Sequence, residues 1–226
     1  MTASLTTRAW LALAALAASM ALLIFVSAGT IHYWQAWVWL SIFFGASILT
    51  TIYLMRHDPA LLERRMRGGP TAEREPTQRV IMLFASLAFV ALLVAPALDH
   101  RFGWSVVPFR GVVAGDVLTG VGVYVIYRVY RVNTFTSATI QVAADQTVVS
   151  TGPYAVVRHP MYAGASLYVI GTPVALGSYW GLLAAAAMLP FLIWRLDDEE
   201  RVLARRLAGY TEYQKRVPYR LVPGIW

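Results

Sequence analysis

The sequence has no cysteine among its 226 residues. That excludes structural disulfides and thiolate chemistry, and it leaves the redox compartment unread. Charge is also scarce. Asp, Glu, Lys and Arg make up 14% of the chain, against roughly 25% in an ordinary soluble domain. Acidic residues are the scarcer sign, 12 against 19 Lys and Arg, for a formal charge of +7. In a chain that is 58% hydrophobic, such arginines flank membrane spans, meet anionic lipid and set topology, so nucleic acid is an unnecessary partner. Histidine gives no metal site, because His32, His57, His100 and His159 are scattered without ligand spacing. No internal repeat or low-complexity tract is present, and nothing marks a second domain.

Long uncharged runs dominate instead. Ala9 to Ile31 carries no charge for 23 residues. That is longer than the apolar core of a signal peptide, so it reads as a first span. Tyr33 to Met55 is a second run, with Trp34, Trp37 and Trp39 at its start, where an aromatic belt sits. Val80 to Leu98 is a third, and Gly111 to Tyr127, interrupted only by Asp116, is a fourth. Met161 to Trp194 is uncharged for 34 residues. As one helix that run would be about 51 Å long, too long to cross roughly 30 Å of hydrocarbon once. It is expected to fold as a hairpin broken at Leu176-Gly177-Ser178-Tyr179. The fold class is therefore all-α integral membrane, with five to six transmembrane helices including a C-terminal helical hairpin. Residues 1–226 form a single membrane domain, with four spans in 1–130 and the chemistry-bearing region in 131–226.

Arginine placement sets the orientation. The connection from Arg56 to Arg79 holds Arg56, Arg64, Arg65, Arg67, Arg74 and Arg79, whereas Asp99 to Arg110 holds only Arg101 and Arg110. The positive-inside rule then puts both termini, the Arg56–Arg79 connection and Arg131 to Pro160 in the cytoplasm.

Three polar clusters of the second half share that side. The first includes Arg131, Asn133, Phe135 and Gln141; the second runs from Thr151 through Tyr154 and Arg158-His159-Pro160 to Gly164; the third is Arg195 with Asp197-Asp198-Glu199-Glu200. Arg158-His159-Pro160 has two readings. It is a topology anchor followed by a proline at the first turn of a span, or a fixed helix start whose free N–H groups, with His159, face a ligand. After the hairpin, Leu196, Leu203, Leu207 and Tyr210 recur at helical spacing, and Glu199 falls on their stripe with Asp197 and Glu200 on its flanks. A carboxylate on an apolar face needs a cationic or donor partner. Arg195, four residues earlier on the same face, is a structural ion-pair partner, an interfacial anchor or part of a ligand site. Gly111 and Gly115, with Gly120 and Gly122 on the same span, read as close helix packing. Asp116, inside a span, is a functional candidate by default, but its shallow depth favours an interfacial partner.

Taken together, Gly152-Pro153-Tyr154, Arg158-His159-Pro160-Met161-Tyr162 with Gly164, Arg195 with Glu199-Glu200, Tyr210-x-x-Tyr213 and Val217-Pro218 resemble, in order and spacing, the isoprenylcysteine carboxyl methyltransferase and phospholipid methyltransferase superfamily of membrane enzymes. The resemblance covers about the last 95 residues. It implies S-adenosyl-L-methionine as methyl donor, held in a cytoplasm-facing pocket, and a lipophilic small-molecule or lipid-modified acceptor, such as an isoprenylcysteine-like carboxylate, drawn from among the membrane lipids. By position, the donor-binding residues it implies are Gln141, Gln146, Thr147, Val148, Val149, Tyr154, His159, Pro160, Met161, Tyr162 and Glu199. Arg195 would contact the acceptor, and Glu200 would take a proton if the acceptor is an amine. The stretch between Gln141 and Gln146 is shorter than in the eukaryotic carboxyl methyltransferases. Two other readings stand beside this one. The ending from Tyr210 to Trp226 also resembles that of membrane sterol reductases, which use NADPH, and a non-enzymatic membrane scaffold would keep the fold without the chemistry.

Overall fold

A computed structural model describes residues 3–66, 76–136 and 145–226. In chain order the helices are α1 (Ala3–Ala28), α2 (Trp34–His57), α3 (Pro59–Met66), α4 (Pro76–Phe102), α5 (Phe109–Val132), α6 (Pro160–Ala175), α7 (Gly181–Arg206) and α8 (Tyr210–Arg216), with one 3₁₀ turn at Gly152–Ala155. Among the described residues there is no strand. Four helical stretches are long and apolar enough to cross a membrane: Leu5–Ala28, Trp34–His57, Gln78–Phe102 and Phe109–Val132. They coincide with the four uncharged runs. Leu11, Leu22, Val26, Leu49, Leu87 and Val117 point outward from these helices. A surface of that kind needs lipid against it, because contiguous apolar patches of this extent are unstable in water.

The predicted hairpin is present, with α6 and α7 antiparallel around a turn at 176–180. Gly177 takes φ +74° there, a conformation that side chains resist, and Ser178 N–H donates to the Pro173 carbonyl at 2.8 Å. The second arm and the acidic segment after it are one continuous helix, α7, which runs through Pro190.

Side-chain contacts tie the two ends of the bundle differently. At the hairpin end, Ser178 and Ser105 both donate to Asp99 Oδ2 at 2.5 Å, and Tyr33 stacks on His100 with ring centroids 3.9 Å apart. Trp39 is fully buried, its indole N–H donating to Thr172 at 3.2 Å. It belongs to the core rather than to the aromatic belt, where Trp34 and Trp37 remain exposed. At the opposite end lie the C-terminus of α2, all of α3, the starts of α4 and α6, and the C-terminal turns of α5 and α7. The described residues of the three polar clusters of the second half are at that end.

α5 and α6 pack backbone to backbone. A Cβ added at Gly115 would fall 2.3 Å from Ala175 N, and one at Gly122 would fall 2.6 Å from the Gly164 carbonyl oxygen. Gly164 and Gly171 answer from α6, where an added Cβ would fall 2.7 and 2.8 Å from the Gly122 and Gly115 carbonyl oxygens. The packing pair is thus Gly115 and Gly122, seven residues apart. Gly111 meets its own neighbour Val107, and Gly120 meets nothing within 4 Å. Close helix packing is the right reading of the span, but at two-turn spacing rather than through Gly111-x-x-x-Gly115. Replacing Gly122 with Val is expected to force α5 and α6 apart and to cost about 2–3 kcal/mol, within the range for overpacked cores. Thermal unfolding in detergent, with Gly120→Val as the control that loses nothing comparable, measures it.

Candidate functional site

Pro160 opens α6, where its missing N–H is harmless, and the two residues before it lie outside the helix and pair elsewhere. Arg158 N–H donates to the Tyr219 carbonyl at 2.9 Å and His159 N–H to the Arg220 carbonyl at 3.0 Å. The chain after α8 thus runs alongside the Arg-His-Pro segment and fixes it. Arg158 is buried and is no lipid-facing anchor. Its Nε donates to Glu200 Oε1 at 2.6 Å, and its Nη1 reaches the carbonyls of Val217 and Pro218 at 2.9 and 2.6 Å. His159 Nε2 lies 3.1 Å from the same Glu200 oxygen, and Arg220 Nε donates to Glu200 Oε2 at 3.0 Å. Arg220 also pairs with Asp197 at 3.1 Å. Burial alone would raise the Glu200 pKa, but hydrogen bonds from His159 and Arg158 outweigh it and hold the carboxyl at about 2.

This revises the helical-face reading of α7. The fully buried carboxylate is Glu200, at 5% exposure, not Glu199. Glu200 lies four residues after buried Leu196 and meets Arg220 of the segment after α8. Glu199, one position earlier, turns towards α6, where Tyr162 O–H donates to its Oε2 at 2.7 Å. The expectation that a buried carboxylate on this face has cationic partners is met, but by the neighbouring residue.

Glu199 lines a cavity of about 430 Å³, within the roughly 300–1,000 Å³ usual for small-molecule sites. Gln146, Thr147, Val148 and Val149 contribute an irregular wall, and Tyr154, His159, Met161, Tyr162 and Arg195 complete the set that the sequence reading singled out. Two of that set stand back. Pro160 is buried at the α6 start, and Glu200 sits behind the wall, locked to its three basic partners; neither is among the residues lining the cavity. Gln141 lies outside the described residues. Asp116 is not among the residues lining the cavity, and its buried Oδ1 has no hydrogen-bond partner among the described residues, so the interfacial partner expected for it is not seen there.

Several lining residues were not singled out. Asn133 Nδ2 donates to Tyr154 Oη at 2.8 Å, and Tyr213 O–H donates to the Tyr154 carbonyl at 2.8 Å, so Tyr154 is held at its hydroxyl and at its backbone. Burial pushes the Tyr154 phenol above its ordinary range, so it stays neutral. Arg65 lies over the Tyr130 ring at 5.4 Å, and both line the cavity. Much of the rest of the wall is apolar and comes from the bundle, including Ile81, Met82 and Ala85 of α4 and Met188, Phe191 and Leu192 of α7. Asn133 and Phe135 lay inside the first polar cluster and were legible there. The α4 and α7 residues carried no signal, because a cavity wall inside a span has the composition of the span.

Fold and site together define a helical integral membrane protein whose polar pocket, at one end of the bundle, continues into apolar space between the spans. Comparison with known proteins then places its second half. Residues 111–208 match the phospholipid methyltransferase family. Over 76 residues the chain is also 36% identical to the protein-S-isoprenylcysteine O-methyltransferase of Schizosaccharomyces pombe, an alignment covering 33% of this chain. It spans about a third of that relative's length, 32%. Both matches agree with the resemblance carried by the Arg-His-Pro and Arg195/Glu199 residues, and the chain is similar to this superfamily over the region that builds most of the pocket.

Proposed function

We propose that this protein is a membrane methyltransferase that uses S-adenosyl-L-methionine to methylate a carboxylate on a lipophilic acceptor, with its pocket on the cytoplasmic side. One observation carries the reading. A single cavity joins the polar residues of the family-matched region to apolar side chains of α4 and α7, so a soluble donor and a lipid-borne acceptor have a common meeting place.

The residues present suit the donor. Glu199 offers a carboxylate to an ammonium group, and Tyr162 fixes its oxygen by a 2.7 Å hydrogen bond. The Tyr154 and Tyr162 rings offer faces to a sulfonium through cation–π attraction. Gln146 to Val149 offer backbone and side-chain polar groups beside them. When bound, the donor supplies an electrophilic methyl group and gives up its positive charge as that group is transferred. The protein's share is orientation and the exclusion of water, which can lower a barrier by about 7–11 kcal/mol.

Two features favour a carboxylate over an amine as acceptor. Arg195 lines the cavity, and its planar fork matches a carboxylate. An amine must also lose a proton, and Glu200, held ionised at about 2 behind the wall, is a poor base. A carboxylate is already deprotonated and needs none. Glu200 then acts as an anchor for Arg158 and His159, and the proton-accepting role considered from sequence has no place in the reaction.

The test is equilibrium binding of S-adenosyl-L-methionine and of NADPH to the purified protein. Measurable donor binding with no NADPH binding is expected, and the reverse would support a reductase. Arg195→Ala should leave donor binding within about twofold and reduce methyl transfer by roughly 100-fold, the loss of a charge-assisted contact of about 2–3 kcal/mol. Retained activity would remove Arg195 from the site.

A further inference from the structure

Gln78 stands in the first turns of α4, outside the family-matched region, and is buried to 1% exposure. A fully buried amide at the start of a membrane span calls for partners, because an unsatisfied one is costly in hydrocarbon. Both of its ends are engaged on α7. Its oxygen accepts from Arg195 Nη1 at 2.8 Å, and its nitrogen donates to Asp198 Oδ2. Arg195 lines the cavity, whereas Gln78 and Asp198 do not. The other carboxylates of the acidic run are directed elsewhere: Asp197 to Arg220, Glu199 to Tyr162, and Glu200 to Arg158 and Arg220. Asp198 makes a long exposed contact with Arg201 at 3.7 Å, so its close contact is the amide of Gln78.

We propose that Gln78 is a positioning residue that fixes the Arg195 guanidinium at the cavity wall and thereby sets the pocket's preference for an anionic acceptor head group. This rests on the methyltransferase reading, in which Arg195 meets the acceptor. The side chain suits the task because of its charge as well as its reach. A neutral amide oxygen holds one guanidinium nitrogen without adding a negative charge beside it, and the amide nitrogen satisfies Asp198 at the same time. A glutamate in its place would do neither. It would bring a second carboxylate against Asp198 and set a fixed anion beside the group that must attract one. An aliphatic residue would remove one of the contacts that hold the Arg195 guanidinium, which also meets Tyr162, and positioning at this scale governs both binding and transfer.

The test uses Gln78→Leu and Gln78→Glu with two probes, an S-farnesylcysteine derivative bearing a free carboxylate and the same compound as its primary carboxamide. Binding of each probe and of S-adenosyl-L-methionine is measured on the purified full chain, with thermal midpoints recorded for each variant. Gln78→Leu is expected to weaken carboxylate binding about tenfold, and Gln78→Glu to weaken it further. Carboxamide and donor binding should stay within about twofold. Equal losses for both probes would assign Gln78 a merely structural role and overturn the proposal, as would unchanged carboxylate binding. Donor binding by the native protein separates the two levels. If the native protein binds donor while the variants show no selective loss, only the Gln78 role fails; if it binds no donor, the methyltransferase reading fails and this role with it.

Discussion

Glu199→Gln should weaken S-adenosyl-L-methionine binding by roughly 30-fold or more and stop methyl transfer at ordinary donor concentrations, with little change in unfolding temperature. The substitution keeps the shape of the side chain and an oxygen for the Tyr162 hydroxyl, 2.7 Å away in the native protein. What it removes is the negative charge offered to the donor's ammonium. A hydrogen bond to a charged group contributes about 1.5–3 kcal/mol, and each 1.4 kcal/mol is a factor of ten in affinity. Titration calorimetry measures the loss, and a saturating donor concentration should restore part of the rate. Unchanged donor affinity would mean that Glu199 is only Tyr162's partner.

Its neighbour should behave in the opposite way. Glu200→Leu is expected to destabilise the fold by about 3 kcal/mol, because it strands buried Arg158 and removes one partner of Arg220. The defect should spread to the pocket through His159 and through the segment from Tyr219 to Arg220 that pairs with it. The pH dependence follows from the depressed pKa. Against an ordinary value of 4.5, the folded carboxyl titrates at about 2. Its stabilising contribution is therefore complete above about pH 4.5 and is lost as pH falls towards 2. Unfolding midpoints of native protein and variant should differ most above about pH 4.5 and converge only as pH falls to about 2. A constant difference across that range would mean that the carboxylate charge is not what the variant removes.

The contrast between these adjacent residues bears on how far the sequence could be read. Uncharged runs gave the spans, and Gly177 marked the hairpin turn, because both depend on local composition and on a local backbone conformation. Glycine spacing showed that α5 packs closely but not through which pair, since Gly164 and Gly171, which choose Gly115 and Gly122, lie on another helix. Helical periodicity put a carboxylate on the buried face of α7 and missed by one residue. The face is defined by the segment after α8, which brings Arg220 onto Glu200, and no pattern within α7 records that. Trp39 was read as interfacial from its neighbours Trp34 and Trp37, whereas its hydrogen bond to Thr172 draws it into the core.

Most of the pocket was legible where it is polar. Gln146 to Val149, Tyr154, His159, Met161, Tyr162, Arg195 and Glu199 do line one cavity. Gln78 was invisible, because its meaning depends on partners 117 and 120 residues away. The apolar wall was invisible for a different reason. Met82, Ala85 and Phe191 differ in no chemical respect from the lipid-facing and core residues around them, so only the arrangement of α4 against α7 assigns them to a site.

The most direct test of the central claim is incubation of membranes containing the protein with methyl-labelled S-adenosyl-L-methionine, followed by mass spectrometry of the lipid extract. A labelled lipophilic product is expected, whose label is released by mild base, as a methyl ester requires, and which is strongly reduced with Glu199→Gln or Arg195→Ala. Label that resists base would place the methyl group on nitrogen or another atom and contradict the carboxylate acceptor. No labelled product across lipophilic carboxylates, amines and thiols, with no donor binding, would contradict the methyltransferase itself.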